Sequence, residues 1–357
     1  MKLNRRAFLQ TTAAATATLA SPVYLKQAWA AEPLIVGSFG GYFEDSVREK
    51  VLPKFTEATG IPASSVATSS GTAYYAGIRP AVASGNPPID VGMTGGGEIL
   101  RFQDVFHRFN PKNVPNLGNL SEDFVARGED GAPYATAVLA WYSTFVQNTD
   151  YFPDPIQSWA DIWDPKFSNS LGWTEDITIS GLLEITQRTF FEGQHMLASR
   201  EGARELLMKI AELKDNVTLW YRDEGQFQQG LQSGEIPAGQ YYHDVTQIMI
   251  ADGFPVTSVF PKEGGVIDFG SWGILKGSQR TDAAEQFLNY CCDPTVQGDM
   301  SRAIGTAPVV SQSAAGMSDE EFALVSSPID PIFVDYQFQL KEADWVTEEW
   351  AKILAAA

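Results

Sequence analysis

Histidine and cysteine are scarce in this 357-residue chain, with three of the first and two of the second. His107, His195 and His243 are the only imidazoles, and no G-x-S-x-G elbow, H-E-x-x-H zinc motif or dinucleotide-binding glycine pattern accompanies them. Cys291 and Cys292 are adjacent, a spacing that rarely meets the geometry of a disulfide. Without a C-x-x-C pair, both a redox motif and a zinc framework are excluded, and the two thiols read as small buried hydrophobes. Basic residues are few: 25 Lys and Arg stand against 44 Asp and Glu, a net charge of −19. A nucleic-acid partner would ask for a basic stripe, so none is expected. The acidity serves solubility and is compatible with a cationic ligand. Long apolar runs are also missing, and a membrane helix needs about 20 such residues. What is present is a folded, globular composition, 44% hydrophobic and 12% aromatic, at a length that divides into two domains.

Residues 1–30 read as a removable export signal. Lys2, Arg5 and Arg6 precede a mild apolar stretch from Ala7 to about Ala20, and Ala28-Trp29-Ala30 forms an A-x-A cleavage site. The string Asn4-Arg5-Arg6-Ala7-Phe8-Leu9 resembles the twin-arginine consensus, an address read by a translocase rather than an anchor. Removal of Lys2, Arg5, Arg6 and Lys26 with the signal leaves 21 basic residues against 44 acidic ones.

Beyond residue 30 the pattern alternates. Leu34–Gly37, Val66–Thr68 and Ile89–Met93 read as strands, with helices between them carrying Val47, Val51, Leu52 and Phe55 at helical spacing, and Tyr74 to Ser84. Gly60 reads as a helix stop. A second region shows strands at Val138–Gln147, Leu171–Thr174, Val217–Tyr221 and Gly239–Tyr242, with helices at Gly181–Phe191 and Glu201–Leu213. Val256–Pro261 and Ile267–Ile274 are extended, and Asp282–Cys292 is helical. Such alternation indicates βαβ units and a parallel sheet, in which ligands sit beyond the carboxyl ends of the strands. Phe39 to Tyr42 and Thr94 to Gly97 fall at such ends. Gly95-Gly96-Gly97 opening a helix lacks a full phosphate-loop pattern.

Several stretches resemble the substrate-binding proteins of ABC importers, in the branch of the spermidine/putrescine receptors. They are Phe55-Thr56-Glu57-Ala58-Thr59-Gly60-Ile61, Ser158-Trp159-Ala160-Asp161-Ile162-Trp163-Asp164-Pro165-Lys166-Phe167, Phe260-Pro261-Lys262-Glu263-Gly264-Gly265 and Ile304-Gly305-Thr306-Ala307-Pro308. The resemblance implies an α/β, two-lobed, type II-like binding-protein fold whose lobes close about a hinge of crossing strands. Residues 31–137 and 266–310 would form one lobe, 138–265 the other, and 311–357 a C-terminal helical segment packed on both. The crossings would lie near Ala135–Ala140 and Glu263–Asp268. It further implies a periplasmic receptor without enzymatic activity or cofactor, a monomer, whose partners are a small-molecule solute, a membrane ABC permease and, during export, the twin-arginine translocase.

Aromatic walls and a few carboxylates hold the ligand in such receptors, through cation–π attraction and charge-assisted hydrogen bonds. The expected ligand-binding residues are Phe39, Tyr42, Trp141, Trp173, Asp176, Tyr242, Asp244, Asp268 and Trp272, with Trp220 a lesser candidate. The carry-over is partial: Tyr242 stands where the polyamine receptors have a stacking tryptophan and Asp176 matches an acidic anchor, but Ile179 replaces a glutamate. Trp159 and Trp163 are expected in the core, and Arg222 is expected to pair with Asp223 or Glu224. Two alternatives stay open. Tyr241-Tyr242-His243-Asp244 resembles the paired tyrosines of ferric-ion receptors, and the twin-arginine route also carries folded periplasmic enzymes.

Overall fold

The structure is a computed structural model that describes residues 32–68 and 71–356; the export signal expected at residues 1–30 lies outside them. Among the described residues eleven strands form one sheet: β1 (Leu34–Phe39), β2 (Ala63–Thr68), β3 (Val91–Gly95), β4 (Val125–Arg127), β5 (Pro133–Asn148), β6 (Leu171–Thr174), β7 (Val217–Tyr221), β8 (Ala238–Tyr242), β9 (Val256–Val259), β10 (Val266–Ile274) and β11 (Ile332–Phe333). Their order is β2-β1-β3-β10-β5-β8-β6-β7, with β4 and β9 on β5 and β11 on β10. The sheet is mixed where the alternation suggested a parallel one. Parallel blocks at either end, β2-β1-β3 and β8-β6-β7, are joined through the antiparallel pair β10 and β5. The α/β class and the two lobes stand.

Each lobe owns a core. One gathers Leu34, Val36, Phe55, Met93, Val138, Leu139, Trp272 and Phe287; the other gathers Phe145, Trp159, Phe167, Trp173, Leu206 and Ile210. β5 contributes Ala137–Tyr142 to the first core and Phe145 to the second, so it crosses at Ser143 and Thr144, later than the Ala135–Ala140 expected. Its nearly unbroken apolar run carries no mark of where one core ends and the next begins. β10 crosses between Val266, in the second core, and Ile267, in the first.

The helix ends follow local chemistry. Gly60, at φ 73°, closes the helix Leu52–Thr59 by donating its N–H to the Thr56 carbonyl. Asp293 accepts from the N–H groups of Thr295 and Val296, with Pro294 in the first helical position and Gly305 as the stop at φ 83°. Ser158 and Asp161 form a reciprocal capping box on the turn Trp159–Trp163. That turn docks on the Glu263-Gly264 bend. Ser158 Oγ donates to Glu263 Oε1 at 2.5 Å, the Trp159 N–H to Glu263 Oε2 at 3.0 Å, and Trp159 Nε1 to the Gly264 carbonyl at 2.7 Å. Gly264 has φ 100°, and a Cβ there would stand 2.1 Å from the Asp330 carbonyl oxygen, so no side chain fits this bend.

The C-terminal helix Tyr336–Ala356 packs on the helix Gly96–Arg101 of the first lobe and on Arg200–Ala211 of the second. Arg200 pairs with Glu342 at 2.6 Å and Arg204 with Glu349 at 2.7 Å. Among the described residues, no helix is long and apolar enough to cross a membrane.

Candidate ligand cavity between the lobes

The two crossing strands bring cavity residues with them. Asp268 of β10 stands directly opposite Trp141 of β5 in the antiparallel register, and Val266 opposite Ser143. All four line a cavity of about 420 Å³, within the size range of small-molecule sites. Gly95 to Glu98 and Arg101 form its first-lobe wall. Thr174, Ile179, Tyr221, Arg222, Glu224 and Gln240 to Tyr242 form the wall of the second, and Val334, Tyr336, Gln339, Leu340 and Ala343 complete it from the C-terminal segment.

Asp268 is the carboxylate at the crossing. Its Oδ1 accepts from the Tyr336 hydroxyl at 2.5 Å and from the Phe269 N–H at 2.8 Å. Enclosure by protein raises its pKa, only partly offset by these donors. Tyr242 donates its hydroxyl to Glu224 Oε1 at 3.2 Å, and burial together with the Glu224 charge raises the phenol's pKa. Arg222 is bound by both carboxylate oxygens of Glu175, not by its sequence neighbours Asp223 or Glu224. Strands β6 and β7 lie side by side with Thr174 opposite Tyr221, so residues flanking those strand ends meet, which chain order alone does not show.

Of the expected ligand-binding residues, the structure brings Trp141, Tyr242 and Asp268 to the cavity wall. Phe39 stands behind them, edge-on to Trp141 at 6.3 Å and to Phe43 at 5.5 Å. The other five lie elsewhere. Trp173 is fully buried in the second core, 6.0 Å from Trp159: side chains alternate along β6, so Thr174 takes the cavity face and Trp173 the opposite one. Trp272 is fully buried deeper in the first lobe, packed on Phe287 at 4.8 Å with its Nε1 donating to the Gly37 carbonyl. Tyr42 is exposed, its hydroxyl turned to the Ala303 carbonyl. Asp176 accepts from the Thr178 N–H and hydroxyl at 2.9 and 2.6 Å and borders an adjoining groove with Arg222 and Trp350. Asp244 lies in the first turn of the helix His243–Ala251, off the cavity wall, its pKa raised by burial. Trp220 packs on Trp350 at 5.9 Å, within the second core. Trp159 is fully buried, and Trp163 is half-buried with its Nε1 on the Lys209 carbonyl.

The run Tyr241 to Asp244 does not converge on a point. Tyr241 donates to Gln228 and Tyr242 to Glu224, while His243 turns to Ser258 and the Ala323 carbonyl. Among the described residues no group of three or more His, Cys, Asp and Glu side chains could hold a metal ion.

Glu98, Arg101, Gln339 and Tyr336 are among the wall residues that the sequence did not single out. Tyr336 had no local signal, because its place depends on a helix packed across from the other end of the chain. Its ring lies so close to Gly96 that a Cβ there would stand 2.3 Å from it. Next to it, the Asp335 N–H donates to Glu184 Oε1 at 3.0 Å. Burial pushes the Glu184 carboxyl up to about 7. A carboxyl with a raised folded-state pKa gives stability that is present below its unfolded value of 4.5 and lost as pH rises through 7. That loss amounts to about 3 kcal/mol. Glu184→Gln keeps the acceptor for Asp335 and should remove this component. Urea midpoints at pH 5 and pH 8 should therefore lie closer together in the variant than in the parent; an unchanged gap would mean that Glu184 does not titrate in that window.

The bacterial extracellular solute-binding protein family matches residues 50–324, and the chain belongs to it. It is a solute-binding receptor that works outside the cytoplasm. Among curated relatives, it is 24% identical over 257 residues to the spermidine/putrescine-binding periplasmic protein of Salmonella typhimurium, covering 71% of this chain and 72% of that one. It is 24% identical over 283 residues to the gamma-aminobutyric acid-binding protein of Pseudomonas aeruginosa, covering 78% and 77%. Among solved structures, a putative extracellular solute-binding protein from Bordetella parapertussis superposes with a TM-score of 0.77 at 20% identity, over 91% of this chain and 99% of that one.

Proposed function

We propose that this receptor captures an amine-bearing organic solute in the cavity between its lobes and presents the closed form to an ABC-type permease in the membrane. The observation that carries this reading is the placement of Asp268. A carboxylate lies at the crossing of the hinge strands, directly opposite Trp141, in a cavity also lined by Glu224 and the rings of Tyr221, Tyr241 and Tyr242. An ammonium group there gains a charge-assisted hydrogen bond and aromatic faces at once. Names among the relatives, polyamine and gamma-aminobutyric acid receptors, support the same solute class. Closure follows from tighter binding in the closed form than in the open one. In this reading the protein is a periplasmic monomer, exported by the twin-arginine route, and catalyses no reaction.

The reading is tested by thermal shifts of the mature chain with diamines, amino acids, organic acids and metal ions. Ligand at 100 times Kd adds about 2.7 kcal/mol of stability, so ammonium-bearing compounds should raise the melting temperature. Shifts confined to organic acids or to metal ions would overturn it.

A further inference from the structure

Behind the hinge, a buried polar chain links the two lobes. Side chains alternate along β5, so where Trp141 and Ser143 line the cavity, Thr144 takes the opposite face. There Thr144 Oγ1 lies 2.6 Å from Ser258 Oγ, and Ser258 Oγ lies 2.8 Å from His243 Nδ1. His243 Nε2 in turn lies 2.9 Å from the Ala323 carbonyl oxygen. Thr144 and His243 are both buried. Phe260 covers the imidazole at 4.8 Å between ring centroids, and Tyr142 backs Phe260 at 5.2 Å. A carbonyl oxygen only accepts, so Nε2 carries the hydrogen. Burial lowers the ring's pKa, partly offset by the Ala323 bond, so at pH 7 the ring is neutral and Nδ1 accepts. Thr144 then donates to Ser258 and Ser258 to His243, which fixes the tautomer and the ring's aim.

The last bond of the chain joins two bodies. His243 follows β8 and opens the helix His243–Ala251, where Tyr241 and Met249 pack with Val146 and Phe227 of the second lobe. Ala323 ends the helix Asp319–Ala323, flanked by Met317 and Val325 of the first core. Glu321 of that helix pairs with Arg302 at 2.8 Å, which ties it to the first lobe again. Rotation of the lobes about the crossing strands narrows the cavity in front and draws apart whatever lies behind. The His243–Ala323 bond is made in the arrangement described here, and closure stretches it. From this we infer that His243 is a positioning residue that opposes closure of the receptor, by holding the rear of the two lobes together. The inference does not depend on the solute's chemistry. Apparent affinity scales with the fraction of molecules in the binding-competent form, so this bond lowers the affinity for any solute that the closed form holds.

The test is paramagnetic relaxation in the mature chain without solute, carrying a nitroxide on Thr72→Cys. Thr72 is exposed and lies beside Arg101 of the first-lobe wall, while Cys291 and Cys292 are fully buried and escape the label. Amides of Ile179, Arg222 and Glu224, on the second-lobe wall, feel the label most in closed molecules. His243→Leu should raise the closed population, read from these amides, about 3- to 10-fold, as expected for one lost hydrogen bond. Relaxation within the first lobe should not change. His243→Gln, which can still donate to the Ala323 carbonyl, should stay near the parent. Ser258→Ala keeps the imidazole but removes the group that aims it, and should fall between parent and His243→Leu. It also carries the test alone if melting curves show that His243→Leu does not fold. An unchanged or smaller closed population in the folded variants would overturn the inference, as would equal rises in His243→Gln and His243→Leu.

Discussion

Asp268→Asn should lower affinity for the amine-bearing solute by about 30- to 150-fold, some 2–3 kcal/mol, the range of a hydrogen bond to a charged group. The same substitution should leave thermal stability unchanged or raised. These two effects have opposite signs because the carboxylate sits where protein encloses it, and its pKa is already raised. A carboxyl with a raised folded-state pKa costs the folded state free energy at neutral pH, and the neutral amide removes that cost. Asn also keeps an oxygen to accept from the Tyr336 hydroxyl, the bond that anchors the C-terminal helix here. Titration calorimetry and a melting curve on the same preparation read both effects. A variant that loses stability in step with affinity would make Asp268 a structural residue and remove the observation on which the proposed function stands.

Trp159→Ala should cost the fold about 4 kcal/mol, the usual loss for truncating a large buried aromatic. Trp159 is fully buried, meets Phe145 at 6.4 Å and Trp173 at 6.0 Å edge-on, and donates its indole N–H to the Gly264 carbonyl. Its loss opens a cavity in the second core and strips the bend after Glu263 of its partner. Trp163→Ala is the control: that ring is half-buried, faces Phe190 and lies under the Lys209 ammonium at 5.7 Å. It should cost clearly less. Urea midpoints at constant slope measure both, and equal losses would mean that packing around Trp159 is not what holds the turn Trp159–Trp163 in place.

The stretches that suggested the family in the sequence prove to be framework. Ser158, Trp159, Asp161, Glu263 and Gly264 bind one another across two distant segments, so their identity is set by mutual fit rather than by a solute. That is why they announced the fold and not the ligand. The alternation of strands and helices was legible because each element carries its own period, and even the boundaries of β7 and β6 matched. The sense of the central strands was not, since antiparallel pairing of β5 with β10 joins segments more than a hundred residues apart.

Among the residues of the cavity wall, Trp141 and Tyr242 were legible from strand position and family resemblance, and Asp268 from its place after the Glu263-Gly264-Gly265 turn. Trp173 and Trp272 misled because a tryptophan near a strand end has two faces to choose between, and one residue of register decides. Arg101 and Tyr336 had no sequence signal, and Glu224 had one only as a partner for Arg222. A charged residue on a short helix, or a tyrosine at the start of a long one, looks the same whether it faces solvent or a cavity until the partner element is placed.

The makeup of the second core bears on the order in which the protein can be finished. Phe145, Trp159 and Ile210 wait in that core for Ile332, Phe338, Val346 and Trp350, which close it. Chains generally fold from the N-terminus as they are synthesised. Here that order can complete the core built on Leu34, Phe55 and Phe287 first, while the other stays open on one side until Trp350 is made. A chain cut before Phe338 would leave the second lobe with an uncovered apolar wall.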